Sequence, residues 1–111
     1  MFEYSGVQIR WHGHDTFTLT HGNLVVCTDP YQIDTKIDAD IVLISHNHFD
    51  HLSNDDLKKV SNDKTTIVAA KECLGQIKVK NKEIIGVIPN EEMTINGVKI
   101  TIWRSEERRV G

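Results

Sequence analysis

Apolar positions in this chain fall into short blocks separated by turn-forming residues, the pattern of a sheet rather than of long helices. Val7–Trp11, Thr16–Thr20 and Leu24–Thr28 are rich in side chains that suit a pleated surface, and each predicts a strand. His21-Gly22-Asn23 between the last two suits a hairpin turn, because Gly and Asn tolerate positive φ. Asp29-Pro30 ends the third strand, since proline has no N–H to give to a ladder. The polar stretch Tyr31–Asp38 then predicts a loop.

Ala39–Ser45, A-D-I-V-L-I-S, reads as a strand covered on both faces. Soon after it, Ser53-Asn54-Asp55-Asp56 predicts a helix start, with Ser53 as N-cap and acidic side chains offsetting the helix dipole. Leu57–Val60 continues that helix, with Lys58 and Lys59 towards its C-terminal end. Thr65–Ala70 predicts another buried strand and Lys71–Gln76 a short helical turn. Glu83–Ile88, Met93–Ile95 and Val98–Trp103 complete the strand series, with Asn96-Gly97 as a strong hairpin signal. The chain shows no internal repeat and no low-complexity segment. Strands and helix together predict a mixed α and β domain.

Composition narrows the classes. A chain of 111 residues makes one domain at most. With 39% hydrophobic and 26% charged residues it resembles an ordinary globular protein, and 6% aromatic content means that Val, Ile and Leu must build the core. The net charge of -3 argues against nucleic acid as a partner, which a basic face would attract. Cys27 and Cys73 sit in or beside apolar segments without C-x-x-C spacing, so buried thiols are expected. The N-terminus lacks the basic and apolar regions of a signal peptide, and no run approaches the ~20 apolar residues of a membrane span. A cytoplasmic protein without a membrane partner is the expectation.

The candidate chemistry lies between the buried strand and the helix. S-H-N-H-F-D-H-L-S, Ser45–Ser53, offers three imidazoles and a carboxylate as H-x-H-x-D-H. Neutral imidazole and carboxylate suit Zn²⁺ and neighbours such as Mn²⁺ and Fe²⁺. A strand end before the cluster and a helix start after it would give the four donors a rigid mount and a common direction. Among the other histidines, His14 could line or support a site, whereas His12 and His21 read as exposed or turn residues. Trp11 and Trp103 read as core or sheet-face residues.

The loop resembles the signature of the metallo-β-lactamase superfamily. The wider stretch Gln8–Ile102 is similar to its branch of small metal-dependent hydrolases that includes the ascorbate-6-phosphate lactonases. That similarity rests on I-R-W-H-G-H-D-T-F, V-V-C-T-D-P, A-D-I-V-L-I-S-H-N-H-F-D-H-L-S and the following D-D-L-K-K. It implies an α+β fold: residues 1–103 would be the N-terminal half of a four-layer αβ/βα sandwich. It implies that His46 and His48 bind one metal, that Asp50 and His51 bind a second, and that Asp29 holds the loop without touching metal. Two zinc ions ~3.5–4 Å apart would activate a shared water against a small ester, lactone or phosphoester, with Asp50 as the catalytic residue that orients it.

The donor supply is incomplete, because the family pattern needs further ligands downstream and no histidine follows His51. The closing octet Arg104–Gly111, R-S-E-E-R-R-V-G, reads as translation into sequencing-adapter DNA rather than natural sequence, the alternative being a charged helical tail. Without its three basic and two acidic residues the body carries -3 - 1 = -4. An isolated half is expected to leave one sheet face bare, to be poorly soluble, and to be inactive. A different reading is a non-catalytic metal-binding module, in which the four donors close one tetrahedral site. A weaker third is a degenerate member used as an interaction surface.

Overall fold

Among the described residues, seven strands form one mixed sheet in which neighbours in space are neighbours in sequence, in the order β1 to β7. The computed structural model describes residues 2–13, 16–45, 53–79 and 83–102. β1 (Phe2–Tyr4), β2 (Val7–Gly13), β3 (Thr16–His21) and β4 (Leu24–Thr28) run antiparallel. β5 (Ile41–Ile44), β6 (Thr66–Ala70) and β7 (Glu83–Val87) then add parallel to β4. Parallel neighbours need crossovers, and these are the loop after β4, helix α1 (Asn54–Val60) and a 3-10 segment, Lys71–Gln76. A separate hairpin, β8 (Glu92–Ile95) and β9 (Val98–Thr101), follows. Its turn places Asn96 at φ 51° and Gly97 at φ 81°, the left-handed pair that a two-residue hairpin turn needs.

Alternation along the strands sorts the apolar side chains onto two faces. Cys27, Val42, Ile44, Ile67 and Ala69 pack with Leu57 and Val60 of α1, with Cys73 of the 3-10 segment and with Ile33. Val26, Ile41, Val68 and Val87 form the opposite face, against which Met93, Ile95, Val98, Ile100 and Ile102 of the hairpin region pack. The central strands β5 and β6 are therefore apolar on successive residues because a layer lies on either side of them. The fold is mixed α+β and dominated by its sheet. Among the described residues no helix is long and apolar enough to cross a membrane.

The hairpin covers part of the face that the sequence suggests would be bare. Farther along the same face, Trp11 and Phe17 are directly paired across β2 and β3 and remain 64% and 38% exposed. The short strand β1 carries no strong sequence signal and appears only through its pairing with β2. β9 stops at Thr101, and Ile102 instead exchanges backbone hydrogen bonds with Asn90 and Glu91. Trp103 and the closing octet lie outside the described residues.

Candidate metal centre

Strand register gathers several chain ends on one edge of the sheet. Phe17 pairs with Thr28, Thr28 with Leu43, Leu43 with Val68, and Val68 with Ile85. The ends of β4, β5, β6 and β7 therefore lie together, beside the Gly13 and Thr16 ends of β2 and β3. β5 ends at this edge, and Ser45, the last described residue before the histidines, follows it directly. His46, His48, Asp50 and His51 lie outside the described residues, as does His14 between β2 and β3. His21 stands at the other end of β3, exposed.

What the structure places is the mount. Asp29, only 7% exposed, accepts hydrogen bonds from the backbone N–H and the hydroxyl of Ser45, both at 2.8 Å. Its own N–H donates to the carbonyl of Leu43 at 2.8 Å. Asp29 thus grips the last turn of chain before His46 from two directions. A carboxylate with two charge-assisted donors makes a stronger anchor than a neutral pair would. Thr16, fully buried, steadies Asp29 in turn: its hydroxyl donates to the Asp29 carbonyl at 2.6 Å and accepts from the Tyr31 N–H at 3.1 Å.

The far side of the loop is anchored by α1. Ser53 caps the helix, its side chain accepting from the Asp56 N–H at 3.4 Å, and Leu57 N–H reaches the Ser53 carbonyl at 2.9 Å. Both chain ends flanking the four donors are therefore fixed. The sequence anticipates the Ser53 cap, and Asp-Pro hints at Asp29, but nothing local in the chain marks Thr16 or Ser45 as its partners.

Titratable groups around the mount behave as their surroundings dictate. Burial, assisted by the nearby Asp29 carboxylate, pushes the Cys27 thiol up to about 12. Burial likewise raises Cys73, with Glu72 and Asp29 adding to it. Both are free thiols in the core, so neither is a ready thiolate at neutral pH. His12 is lowered by burial first and by Arg10 second, and its Nε2 lies 2.9 Å from the Thr18 hydroxyl. Among the described residues no group of three or more His, Cys, Asp or Glu side chains is placed to hold a metal.

A profile of the β-lactamase superfamily domain matches residues 8–111. A "UPF0173 metal-dependent hydrolase" of Saccharolobus solfataricus is 26% identical over 112 residues, spanning 88% of this chain and 49% of that protein. Another of the same name, from Nanoarchaeum equitans, is 34% identical over 82 residues, spanning 73% of this chain and 36% of its own length. A crystal structure from Parabacteroides distasonis, of a protein assigned as a metal-dependent hydrolase, superposes with a TM-score of 0.75 at 27% identity. The match covers 86% of this chain and 44% of that one. The chain spans about half the length, or less, of the relatives it matches.

Proposed function

This chain belongs to the β-lactamase superfamily, and from that membership we propose that it is the metal-binding half of a metal-dependent hydrolase acting on a small ester, lactone or phosphoester. The observation that carries the reading is the Asp29–Ser45 clamp, which fixes the chain directly before H-x-H-x-D-H. A buried carboxylate spent on holding one loop start is explained if the loop's side chains must keep a set geometry.

In this reading His46 and His48 hold one zinc ion, and Asp50 and His51 hold a second, with Mn²⁺ or Fe²⁺ as alternatives of compatible ligand preference. Bound there, metal supplies Lewis acidity that lowers the pKa of a water and polarises the scissile group. The chain's own contribution is to aim the donors, through Asp29 at one end and the Ser53 cap at the other. Asp50 would also orient the attacking water. By the family resemblance, further ligands would lie downstream of residues 46–51. The branch resemblance to lactonases supports the substrate class, and the same names among the relatives support metal dependence.

The test compares metal content and turnover. Purified chain should take up zinc, and His48→Ala should lose most of it, as read by elemental analysis. In a protein spanning the relatives' full length, the same His48→Ala change should also abolish metal-dependent hydrolysis of a lactone and phosphoester panel. Undiminished hydrolysis in metal-stripped His48→Ala protein would overturn the proposal. One tightly held ion in that full-length protein, with no turnover, would instead favour a metal-binding module.

A further inference from the structure

Asp56 stands in the first turn of α1, where an acidic residue ordinarily does no more than offset the helix dipole. Here it does something else. Its side chain turns away from solvent, 5% of the residue being exposed, and accepts two backbone hydrogen bonds from a distant segment. The Gln32 N–H reaches Oδ2 at 2.8 Å and the Ile33 N–H reaches Oδ1 at 2.9 Å. Lys59, one turn on, donates from Nζ to the Ile33 carbonyl at 2.9 Å and lies 3.8 Å from Asp56 Oδ1. Helix α1 therefore clasps Ile33 by both its N–H and its carbonyl. Further along, Ile37 N–H and Ala39 N–H bond to the carbonyls of Lys59 and Val60.

The clasped segment is the continuation of Asp29. Between them Asp29 and Gln32 take φ of 38° and 55°, left-handed values that non-glycine residues hold only when their surroundings enforce them. One short stretch, Asp29–Ile33, thus touches both flanks of the histidine loop. At its start Asp29 grips Ser45, before the loop; at its end Gln32 and Ile33 are gripped by Asp56, after it.

We propose that Asp56 is a positioning residue for the histidine loop, locking Asp29–Ile33 into a brace that sets how far apart Ser45 and Ser53 stand. The separation of the loop's ends is then imposed by the scaffold rather than by a bound ion. The metal consequence rests on the function proposed above; the mechanical consequence does not.

The experiment uses the 111-residue chain in two measurements. Amide hydrogen exchange of metal-free protein reads protection across residues 46–52, and Zn²⁺ competition with a chromophoric chelator reads affinity. Asp56→Asn keeps the side chain's size but leaves one acceptor for two N–H groups. It should speed exchange at 46–52 and weaken Zn²⁺ binding, each by roughly tenfold or more. Val60→Ala, a cavity in the same helix that spares the clasp, should lower the melting temperature while leaving both readings near wild type. If Asp56→Asn does not fold, Lys59→Met removes the donor to the Ile33 carbonyl and the charge beside Asp56 while sparing both N–H bonds to the carboxylate, and should shift both readings in the same sense by less. Exchange at 46–52 unchanged in these variants, or raised equally by Val60→Ala, would overturn the brace. Wild-type chain that takes up no Zn²⁺ would overturn the metal reading, while the exchange comparison would still decide the brace.

Discussion

At the scale of single residues the chain invests two buried carboxylates in holding backbone. Burial alone would raise the Asp56 carboxyl, but hydrogen bonds from the Ile33 N–H, Ser53 and the Gln32 N–H outweigh it. With the Lys59 charge they hold the group below the usual carboxylate range. The sign of the pH effect follows. With the folded-state value below an unfolded value of about 3.9, the stability from ionised Asp56 is complete above that value. It is lost as pH falls through it towards the folded value. The melting temperatures of wild type and Asp56→Asn should therefore differ near neutral pH and converge as pH falls below about 4. A gap that stays constant across a melting series would contradict the ionised clasp. This role was not legible in the sequence. Asp56 and Gln32 stand 24 positions apart, and residue type shows a first-turn acid without showing what it faces. The same holds for Lys59, which reads as a dipole partner and instead bonds Ile33.

At the scale of elements the sequence was a better guide, and where it fell short the cause is physical. Strands with several β-branched residues, such as β4, β5 and β6, declare themselves, since a pleated surface selects those side chains. The Ser53 cap and the Asn96-Gly97 turn are local chemistry and stand where the sequence put them. β1 is three residues long and exists through its partner, so no periodicity could show it. The register shift between Trp11 and Gly13 is likewise a property of the pair rather than of either strand. Gly86 in β7 illustrates a packing fact that pattern does not carry. A Cβ there would come within 2.6 Å of Leu74 Cδ1 on the 3-10 segment. Leu74 is 38% exposed and has room to turn aside. Gly86→Ala should therefore cost near the low end of the ~1–3 kcal/mol typical of overpacking, measured by denaturant titration. A larger loss would mean that the 3-10 segment is held more rigidly than its exposure implies.

At the scale of the whole molecule the family could be read from one loop and its flanks, because ligand chemistry tolerates few residue types at each position. The packing of the second sheet face could not be read, since it depends on which hairpin lands where. Met93, Ile95, Val98 and Ile100 cover Val26, Ile41, Val68 and Val87, and the aromatic pair Trp11 and Phe17 is left exposed on the same side. A paired Trp and Phe at a surface is a ready site for self-association. Sedimentation of the 111-residue chain should show average mass rising with concentration, and Trp11→Lys should suppress the rise. Because Trp11 is already 64% exposed, that change should alter folding stability by less than about 1 kcal/mol. Equal association by wild type and Trp11→Lys would place the contact elsewhere.

Strand order in the large sheet has a consequence for how the molecule is made. Each strand from β2 to β7 hydrogen-bonds to the one synthesised just before it. During translation, at about 5–20 residues per second, every new strand would find its template already outside the ribosome. Among the described pairings of this sheet, none joins an early strand to one encoded much later. Such vectorial assembly keeps closure distances short and limits the time that unpaired edges are available to other chains. The β4–β5 edge, where the Asp29 clamp closes on Ser45, would then be laid down before α1 is complete, so the seat for the histidine loop would be built ahead of the helix that locks it.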